Sequence, residues 1–217
     1  MHHSAMQTAK LFFDHYTGPN FQSVLDVGSF NMTGSIKSMV PPHLKYVGMD
    51  VTAGAGVDVV LTDPHAFPFS DNTFDLVTAT SVFEHDDMFW VTFLECLRVI
   101  KPGGFLYINA PSNGCYHACP QDNWRFYPDS GVALAKWGIR NNQQVQLVES
   151  FFTAQGSEEW NDMVMVFSKG VPSSASGLIS QTHPTAFNIR NRNSSDLQNF
   201  CGWTEDQDTI MKLRKRL

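Results

Sequence analysis

The sequence is poor in cysteine, in net positive charge and in long apolar runs, and each shortage excludes a class of protein. Its four cysteines (Cys96, Cys115, Cys119 and Cys201) among 217 residues do not form the dense pattern of a disulfide-stabilised secreted domain. Fifteen Lys and Arg residues against 21 Asp and Glu give a net charge of −6, which argues against a general affinity for nucleic acid or anionic membranes. No apolar stretch approaches the length of a membrane span. We therefore predict a cytoplasmic globular protein that binds neither nucleic acid nor membrane.

What the sequence does contain is an alternation of short apolar runs and amphipathic segments up to about residue 110. The pattern predicts strands at 24–27, 45–51, 57–61, 74–80 and 105–110, and helices at 5–16, 33–40 and 88–100. Strands that alternate with helices across short turns indicate a parallel sheet with helices on both faces.

The remainder of the chain reads differently. The pattern predicts a helix at 129–137 and two last strands, 143–153 and 159–168, that form an antiparallel hairpin through residues 155–157. Ser, Asn, Thr and Pro dominate residues 171–199, which indicates a linker, and a short helix with a basic end is predicted at 204–217. The predicted organisation is an N-terminal helix (1–20), one α/β domain with a seven-stranded, mostly parallel sheet (21–170), and a polar extension (171–217).

The first strand ends in the pattern that organises the predicted site. It is apolar apart from Asp26, and it breaks at Gly28, where the main chain can approach a ligand closely. Asp26 is hard to explain as core, because a buried carboxylate needs a partner. Asp50 closes the next strand. A glycine turn after one strand and an acid at the end of the next suit a nucleoside ligand with a free ribose.

Five stretches in this order resemble the class I S-adenosylmethionine-dependent methyltransferases, in particular the small-molecule type related to quinone and glycan methyltransferases. They are Val24-Leu25-Asp26-Val27-Gly28, Tyr46-Val47-Gly48-Met49-Asp50, Asp63 to Phe69, Phe74 to Val77 running on to Phe83-Glu84-His85, and Arg98 to Gly104. The resemblance covers about residues 20–170. It implies a Rossmann-like fold and S-adenosylmethionine as the cofactor, with S-adenosylhomocysteine as its product.

The resemblance also implies roles for individual residues. Asp26 would face the cofactor's ammonium, and Asp50, followed by Val51, would accept both ribose hydroxyls. The other residues implied at the cofactor are Gly28, Ser29 and Phe30 at its methionine part, Asp63 at the adenine amine, Pro64 and His65 beside the ring, and Thr80 and Ser81 beneath the sulfonium. Pro64 has no N–H, so the main chain at His65 or Ala66 would hold adenine instead. Each acid keeps a structural alternative, since Asp26 could cap a helix and Asp50 could simply end a strand.

The loop after the fifth strand, Pro111 to Pro128, should overhang the carboxyl ends of the sheet. Its Cys115-x-His117-x-Cys119 spacing suggests zinc, but the sequence offers no clear fourth ligand, so we expect no metal. A second stretch resembles the Asp-x-Trp-Arg-Phe-x-Pro motif of some glycan-cluster methyltransferases, which implies that Asp122, Trp124, Arg125 and Tyr127 contact substrate. The alternative is a lid whose aromatic residues pack on the core while Asp122 and Arg125 pair.

The predicted reaction is methyl transfer to a small-molecule or sugar acceptor, with oxygen as the expected acceptor atom. An oxygen nucleophile benefits from a general base, and the candidates are His85 and His117, although His85 could equally order the site as a structural residue. Two alternatives stay open. One is a scaffold that binds the cofactor without turnover; the other is an NAD or nucleotide-sugar enzyme, which should carry the Gly-x-Gly-x-x-Gly that this chain lacks.

Overall fold

A computed structural model describes residues 3–32, 34–155, 160–172 and 175–215, and at its centre is a nine-stranded sheet with the order β3-β2-β1-β4-β5-β7-β6-β8-β9. The strands are β1 Ser23–Val27, β2 Lys45–Asp50, β3 Val59–Val60, β4 Phe74–Thr80, β5 Ile100–Pro111, β6 Val145–Phe152, β7 Asp162–Lys169, β8 Phe187–Asn191 and β9 Ser194–Gln198. The helices are α1 His3–Tyr16, α2 Phe89–Val99, α3 Pro128–Arg140, α4 Ile179–Thr182 and α5 Glu205–Arg214, with a short 3-10 helix at Ile36–Met39.

The parallel half of the sheet confirms the α/β class. Strands β1 to β5 pair in parallel, and β4 in the middle is buried along its whole length, as its apolar sequence requires when helices cover both faces. Strands β6 and β7 pair in antiparallel fashion, as predicted for the hairpin, although residues 156–159 of its connection lie outside the described residues. The predicted helix at 33–40 is a 3-10 helix that begins at Ile36, and residue 33 is likewise not described.

Two apolar clusters fill the space on the two faces of the sheet. One cluster packs α2 and α3 against β4 and β5 through residues such as Phe93, Leu97 and Leu134. The other packs α1, the 3-10 helix and α4 through Phe12, Ile36 and other buried side chains. With both faces covered, the exposed part of the parallel sheet that can take a ligand is the edge where its strands end.

The strand count of seven is wrong, because part of the predicted linker joins the sheet. Strand β8 pairs with β6, and β9 pairs with β8. The segment before β8 is anchored by Glu149 of β6, whose buried carboxylate accepts hydrogen bonds from the Tyr16 hydroxyl (2.5 Å) and from the main-chain N–H groups of Ile179 (2.8 Å) and Ser180 (2.9 Å). The composition of this segment hides these strands, since edge strands pair through their main chain and Ile189 is the only residue of β8 that is fully buried.

Among the residues that the structure describes, no helix has the length and apolar character needed to cross a membrane.

Candidate functional site

A cleft of about 660 Å³ opens where the parallel strands end. Its walls come from two sources. Residues at and directly after the ends of β1, β2 and β4 form what we call the strand-end half: Asp26, Gly28, Ser29, Asp50, Thr80 and Ser81. The second source is what we call the loop half. It consists of His85, a few residues beyond β4, and of His117, Cys119, Pro120 and Gln121 in the loop after β5. The volume is in the range of sites that hold a cofactor or a small ligand.

Gly28 makes the tight turn between β1 and the cleft. Its φ is +76°, and a Cβ at this position would lie 2.2 Å from Cγ2 of Val82. The N–H groups of Gly28 and Ser29 both donate to the Met49 carbonyl, at 2.8 and 3.1 Å, which holds the turn against β2. Only glycine combines this left-handed backbone with the close approach of Val82.

Asp26 is buried beside this turn with both oxygens engaged. The Thr78 hydroxyl donates to Oδ1 (3.0 Å) and the Tyr46 hydroxyl donates to Oδ2 (2.7 Å). Burial outweighs these two hydrogen bonds and raises the pKa of Asp26 to about 7. Each carboxylate oxygen has a second lone pair, so Asp26 can still accept from a cation placed in the cleft.

Asp50 ends β2 and fixes the backbone on both sides of the cleft. Its Oδ2 accepts from the Phe30 N–H (3.1 Å) and its Oδ1 accepts from the Thr52 N–H (2.9 Å). Asp50 is partly exposed, and the neighbouring Phe30 and Val51 line the cleft. A carboxylate held from behind in this way presents its remaining lone pairs to a diol in a fixed orientation.

Two buried hydroxyls in the strand-end half have no hydrogen-bond partner among the described residues. They are Oγ of Ser29 and Oγ1 of Thr80. Next to Thr80, Ser81 has a φ of +55°, a conformation that non-glycine residues rarely adopt, and its N–H donates to the Asn109 carbonyl (2.9 Å). Unpaired buried hydroxyls and a strained residue in one wall are features of a site that is completed by a polar ligand.

Only some of the residues predicted to contact adenine line the cleft. Of the described residues in this segment, Leu61 and Pro64 line the cleft, whereas Asp63 and His65 do not. The Asp63 carboxylate accepts from the His65 N–H (2.9 Å), and the His65 ring contacts Oδ1 of Asp86 (2.8 Å) through Nε2. Asp63 therefore shapes a turn here, and its contact with adenine stays a prediction.

His85, in the loop half, has a defined tautomer. Its Nδ1 lies 2.5 Å from the Gln121 carbonyl, which can only accept, so Nδ1 carries the proton and Nε2 offers a lone pair. Burial lowers the pKa of His85 and thereby favours the neutral ring. The ring of His117 packs edge-on against it, with centroids 5.1 Å apart, and stacks on Trp160. The structure thus brings the two predicted base candidates together.

Arg125 holds the loop after β5 in place. Its guanidinium binds both oxygens of Asp122 (2.5 and 2.7 Å), and it also donates to the carbonyls of Asn113, Cys115 and Trp124. Hydrogen bonds from Arg125 lower the pKa of Asp122 to about 2, so this carboxylate is ionised. The pairing of Asp122 with Arg125, offered above as the alternative to substrate contact, is present.

Trp124 and Tyr127 support the loop from outside the described lining of the cleft. The Trp124 ring packs against Phe89, and its Nε1–H donates to the Asp86 carbonyl (2.8 Å). Tyr127 precedes α3, packs against Phe152 and is half exposed. None of Asp122, Trp124, Arg125 and Tyr127 lines the cleft among the described residues, so their contact with substrate stays a prediction.

Several residues of the site are not among those predicted from the sequence. Tyr46 and Thr78 hold Asp26, Gln121 orients His85, and Asp86 lines the cleft beside Thr92. Glu84 is fully buried next to His85, and burial raises its pKa to about 8. A charged residue between an aromatic residue and a histidine, directly after a buried strand, was the available cue for Glu84.

Comparison with known proteins agrees with this geometry. The family model described as "Methyltransferase domain" matches residues 35–108. No curated protein sequence matches the chain significantly.

Solved structures share the fold at low sequence identity. The 1,6-didemethyltoxoflavin-N1-methyltransferase of Burkholderia thailandensis, with bound 1,6-didemethyltoxoflavin and S-adenosylhomocysteine, is 16% identical with a TM-score of 0.57, covering 77% of this chain and 79% of that one. An S-adenosylmethionine-dependent methyltransferase from Archaeoglobus fulgidus is 12% identical with a TM-score of 0.57, covering 76% and 93%. The cyclase SpnF is 14% identical with a TM-score of 0.57, covering 76% and 81%. The shared fold therefore covers about three quarters of this chain.

Proposed function

We propose that this chain, part of which matches a methyltransferase domain, is a class I S-adenosylmethionine-dependent methyltransferase that transfers the methyl group to a hydroxyl oxygen of a small molecule or sugar. The observation that carries the proposal is that one cleft contains both Asp26 and Asp50 at the strand ends and the pair His85 and His117 in the loop half. Carboxylates suit the ammonium and the ribose of the cofactor, and imidazoles suit an acceptor that must lose a proton.

The strand-end half fits the cofactor in three respects. Gly28 leaves room for close main-chain approach, Asp50 is held by the N–H groups of Phe30 and Thr52 with lone pairs to spare, and Ser29 and Thr80 supply buried hydroxyls without protein partners. When bound, S-adenosylmethionine supplies an electrophilic methyl carbon on a sulfonium that leaves as S-adenosylhomocysteine. The task of these residues is to hold that carbon in line with the acceptor, and alignment alone can contribute several kcal/mol, up to about 7–11.

The loop half supports an oxygen acceptor. A hydroxyl that takes a methyl group gives up its proton, and His85 and His117 are two imidazoles in the described lining of the cleft that can accept it. His85 is favoured in its neutral form with Nε2 available. The acidic chain and the absence of an Asn/Asp-Pro-Pro-Tyr motif after β4 favour a small acceptor over a nucleic acid.

Titration calorimetry tests the cofactor half of the proposal. We expect S-adenosylmethionine and S-adenosylhomocysteine to bind with micromolar affinity and NAD not to bind. Asp50→Ala removes the ribose acceptors, and because hydrogen bonds to a charged group are worth about 1.5–3 kcal/mol each, the affinity should fall at least about thirtyfold. Asp14→Ala, which removes an exposed acid of α1 paired with Lys10, is the matched control and should bind as the native protein does.

Acceptor screening then separates catalysis from binding. With S-adenosylmethionine bound, release of S-adenosylhomocysteine on addition of sugars or phenols is the expected result. Because the same fold is found in the cyclase SpnF, the fold by itself does not define the reaction. Micromolar cofactor binding without turnover on hydroxyl or amine acceptors would instead support a cofactor-binding scaffold.

A further inference from the structure

Glu84 is a buried carboxyl group whose two oxygens accept no hydrogen bond from the residues that the structure describes. Its exposed fraction is 0%, and no other described residue donates a hydrogen bond to Oε1 or Oε2. An isolated buried carboxylate is costly unless it is paired, hydrogen-bonded or bound to a metal. Its main-chain carbonyl is satisfied, since it accepts from the N–H groups of Asn123 (2.7 Å) and Trp124 (3.1 Å). The deficiency is confined to the side chain.

The nearest guanidinium cannot serve as that partner. Arg125 has five N–H donors, and five hydrogen bonds account for them: Nε to Asn113 O, Nη1 to Asp122 Oδ1 and Trp124 O, and Nη2 to Asp122 Oδ2 and Cys115 O. No donor of Arg125 remains for Glu84.

Two histidines stand beside Glu84 in the orientation that metal ligands adopt. Nε2 of His85 lies 3.7 Å from Oε1 of Glu84, and one ligand atom from each of Glu84, His85 and His117 lies within 4.8 Å of the other two. A tetrahedral ion with bonds of 2.0–2.1 Å separates its ligands by about 3.4 Å. The 3.7 Å between His85 and Glu84 is close to this value, and the other two pairs, within 4.8 Å, would have to draw together by up to about 1.4 Å on binding.

The far side of each ring is held as metal-bound histidines are usually held. Nδ1 of His85 donates to the Gln121 carbonyl (2.5 Å). A carbonyl behind the ring fixes the tautomer of His85 and leaves its Nε2 as the ligand atom. Nδ1 of His117 lies 3.3 Å from Oδ2 of Asp122 and 3.4 Å from both the Cys115 carbonyl and Nη2 of Arg125, so these contacts orient the His117 ring without fixing its tautomer.

We propose that Glu84, His85 and His117 bind one divalent transition-metal ion in the loop half of the cleft. Two imidazoles and one carboxylate form a recognised donor set for zinc and for other first-row ions, and such sites leave positions open. The thiols of Cys115 and Cys119, which suggested zinc in the sequence, are not part of the set; only His117 of that motif is.

The open positions of the ion would face the cleft, because His85 and His117 line it. An acceptor hydroxyl can take one of these positions, and coordination lowers the pKa of a bound hydroxyl. This role rests on the proposed function, and in it the coordinated hydroxyl would release its proton to water in the open cleft, while His85 and His117 would act as ligands in place of the general-base role considered above. Metal binding itself does not depend on that function.

The test is zinc binding to the full chain after EDTA treatment and desalting. Calorimetry with zinc chloride should give one equivalent bound, and cobalt(II) should give visible absorption bands typical of nitrogen and oxygen ligands without thiolate. His117→Ala and Glu84→Gln should each weaken zinc binding at least tenfold. His43→Ala, which removes an exposed histidine, and the double change His2→Ala with His3→Ala are the controls and should bind as the native protein does.

Each outcome decides the proposal. Absence of zinc binding by the folded native protein at micromolar concentrations overturns it, as does unchanged binding by His117→Ala. Loss of binding in the His2 and His3 variant would assign the ion to the N-terminus and likewise overturn it. Should Glu84→Gln fail to fold, His117→Ala and the cobalt spectrum still decide. Titration of the same EDTA-treated protein with S-adenosylhomocysteine reports separately on the proposed function, which can hold while the metal site fails.

Discussion

One buried carboxyl group lies in the strand-end half of the cleft and another lies behind the loop half, and the two differ in their hydrogen bonding. Asp26 in the strand-end half receives hydrogen bonds from Tyr46 and Thr78, whereas Glu84 behind the loop half receives none from another described residue. The difference follows from how the halves are built. Asp26 lies on a strand of a ladder in which β2 and β4 supply donors on both sides, while Glu84 follows β4 and is covered by a loop.

The comparison teaches that the two halves depend on different forces. In the strand-end half, Asp26, Asp50 and Thr80 lie on strands that are paired in the sheet, so the main-chain ladders set the positions of their backbones. In the loop half, the Arg125 side chain bonds to Asn113, Cys115, Asp122 and Trp124. Further hydrogen bonds hold residues 121, 123 and 124 to residues 84–86. Substitution of Arg125 should therefore disrupt the conformation of the loop half and leave the strand-end half intact. The predictions below test this separation.

The largest effect should come from Arg125→Ala. The change leaves Asp122, whose side chain is 2% exposed, buried without its partner, and loss of one member of such a pair costs about 3 kcal/mol. We expect the free energy of unfolding to fall by about this amount and turnover to be lost, with less than a threefold change in S-adenosylhomocysteine affinity. Denaturant unfolding and calorimetry on the same variant measure both quantities.

Arg125→Lys is the control for charge. Lysine keeps the positive charge but lacks the planar fork that satisfies Asp122 and three carbonyls at once. It should recover only part of the lost stability. A variant that behaves as the native protein does would mean that charge alone holds the loop, and a large fall in cofactor affinity in either variant would contradict the separation of the two halves.

Gly28→Ala should produce the next largest effect, this time in the strand-end half. The left-handed conformation costs an alanine about 1–2 kcal/mol, and its Cβ would meet Val82 Cγ2 at 2.2 Å. We expect at least a tenfold loss of S-adenosylhomocysteine affinity, measured by calorimetry, with the loop half unaffected. Combining Gly28→Ala with Val82→Ala removes the collision but not the backbone strain, so it should restore only part of the affinity.

The sequence predicts the parallel strands and the strand-end half better than it predicts the edge strands β8 and β9 and the surroundings of Glu84. Strands β1, β2, β4 and β5 were predicted because buried strands leave continuous apolar runs, and β8 and β9 were missed because Ser194–Gln198 has no such run and pairs at a sheet edge. Gly28 and Asp50 can be recognised because a backbone conformation and a strand end restrict the residue type. The lack of hydrogen bonds to the buried Glu84 carboxyl group cannot be predicted from the sequence, because it arises only when the loop after β5 covers this residue.

Asp26 gives a pH dependence of intermediate size. Because burial raises its pKa to about 7, the free protein holds a proton there below that pH, whereas a bound ammonium favours the ionised form. S-adenosylhomocysteine affinity should therefore rise from pH 5.5 to 7.5, by up to about tenfold per pH unit below the pKa, and level off above it. Calorimetry in buffers of different ionisation enthalpy should detect proton release on binding at pH 6.

The free energy of unfolding should depend on pH in the opposite direction, since the contribution of Asp26 falls as the pH rises. The folded protein binds the Asp26 proton more tightly than the unfolded chain, so the free energy of unfolding contributed by this group is fully present below pH 4 and is lost as the pH rises towards 7. Asp26→Asn cannot titrate. The stability of this variant relative to the native protein should increase between pH 4 and 7, and a constant difference would show that Asp26 is ionised throughout.

The smallest effect is expected for Asp63→Ala, where the sequence and the structure point in different directions. The resemblance implies a hydrogen bond from the adenine amine, but Asp63 is exposed, lies outside the described lining of the cleft and already accepts from the His65 N–H. Removing a turn-forming hydrogen bond of this kind costs about 1 kcal/mol of stability, and the affinity for S-adenosylhomocysteine should fall less than threefold. Calorimetry with S-adenosylhomocysteine and with adenosine, which lacks the homocysteine part, decides whether Asp63 contacts adenine. A tenfold loss for both ligands would place Asp63 at adenine, and the strand-end half would then extend along the chain beyond the ends of β1, β2 and β4.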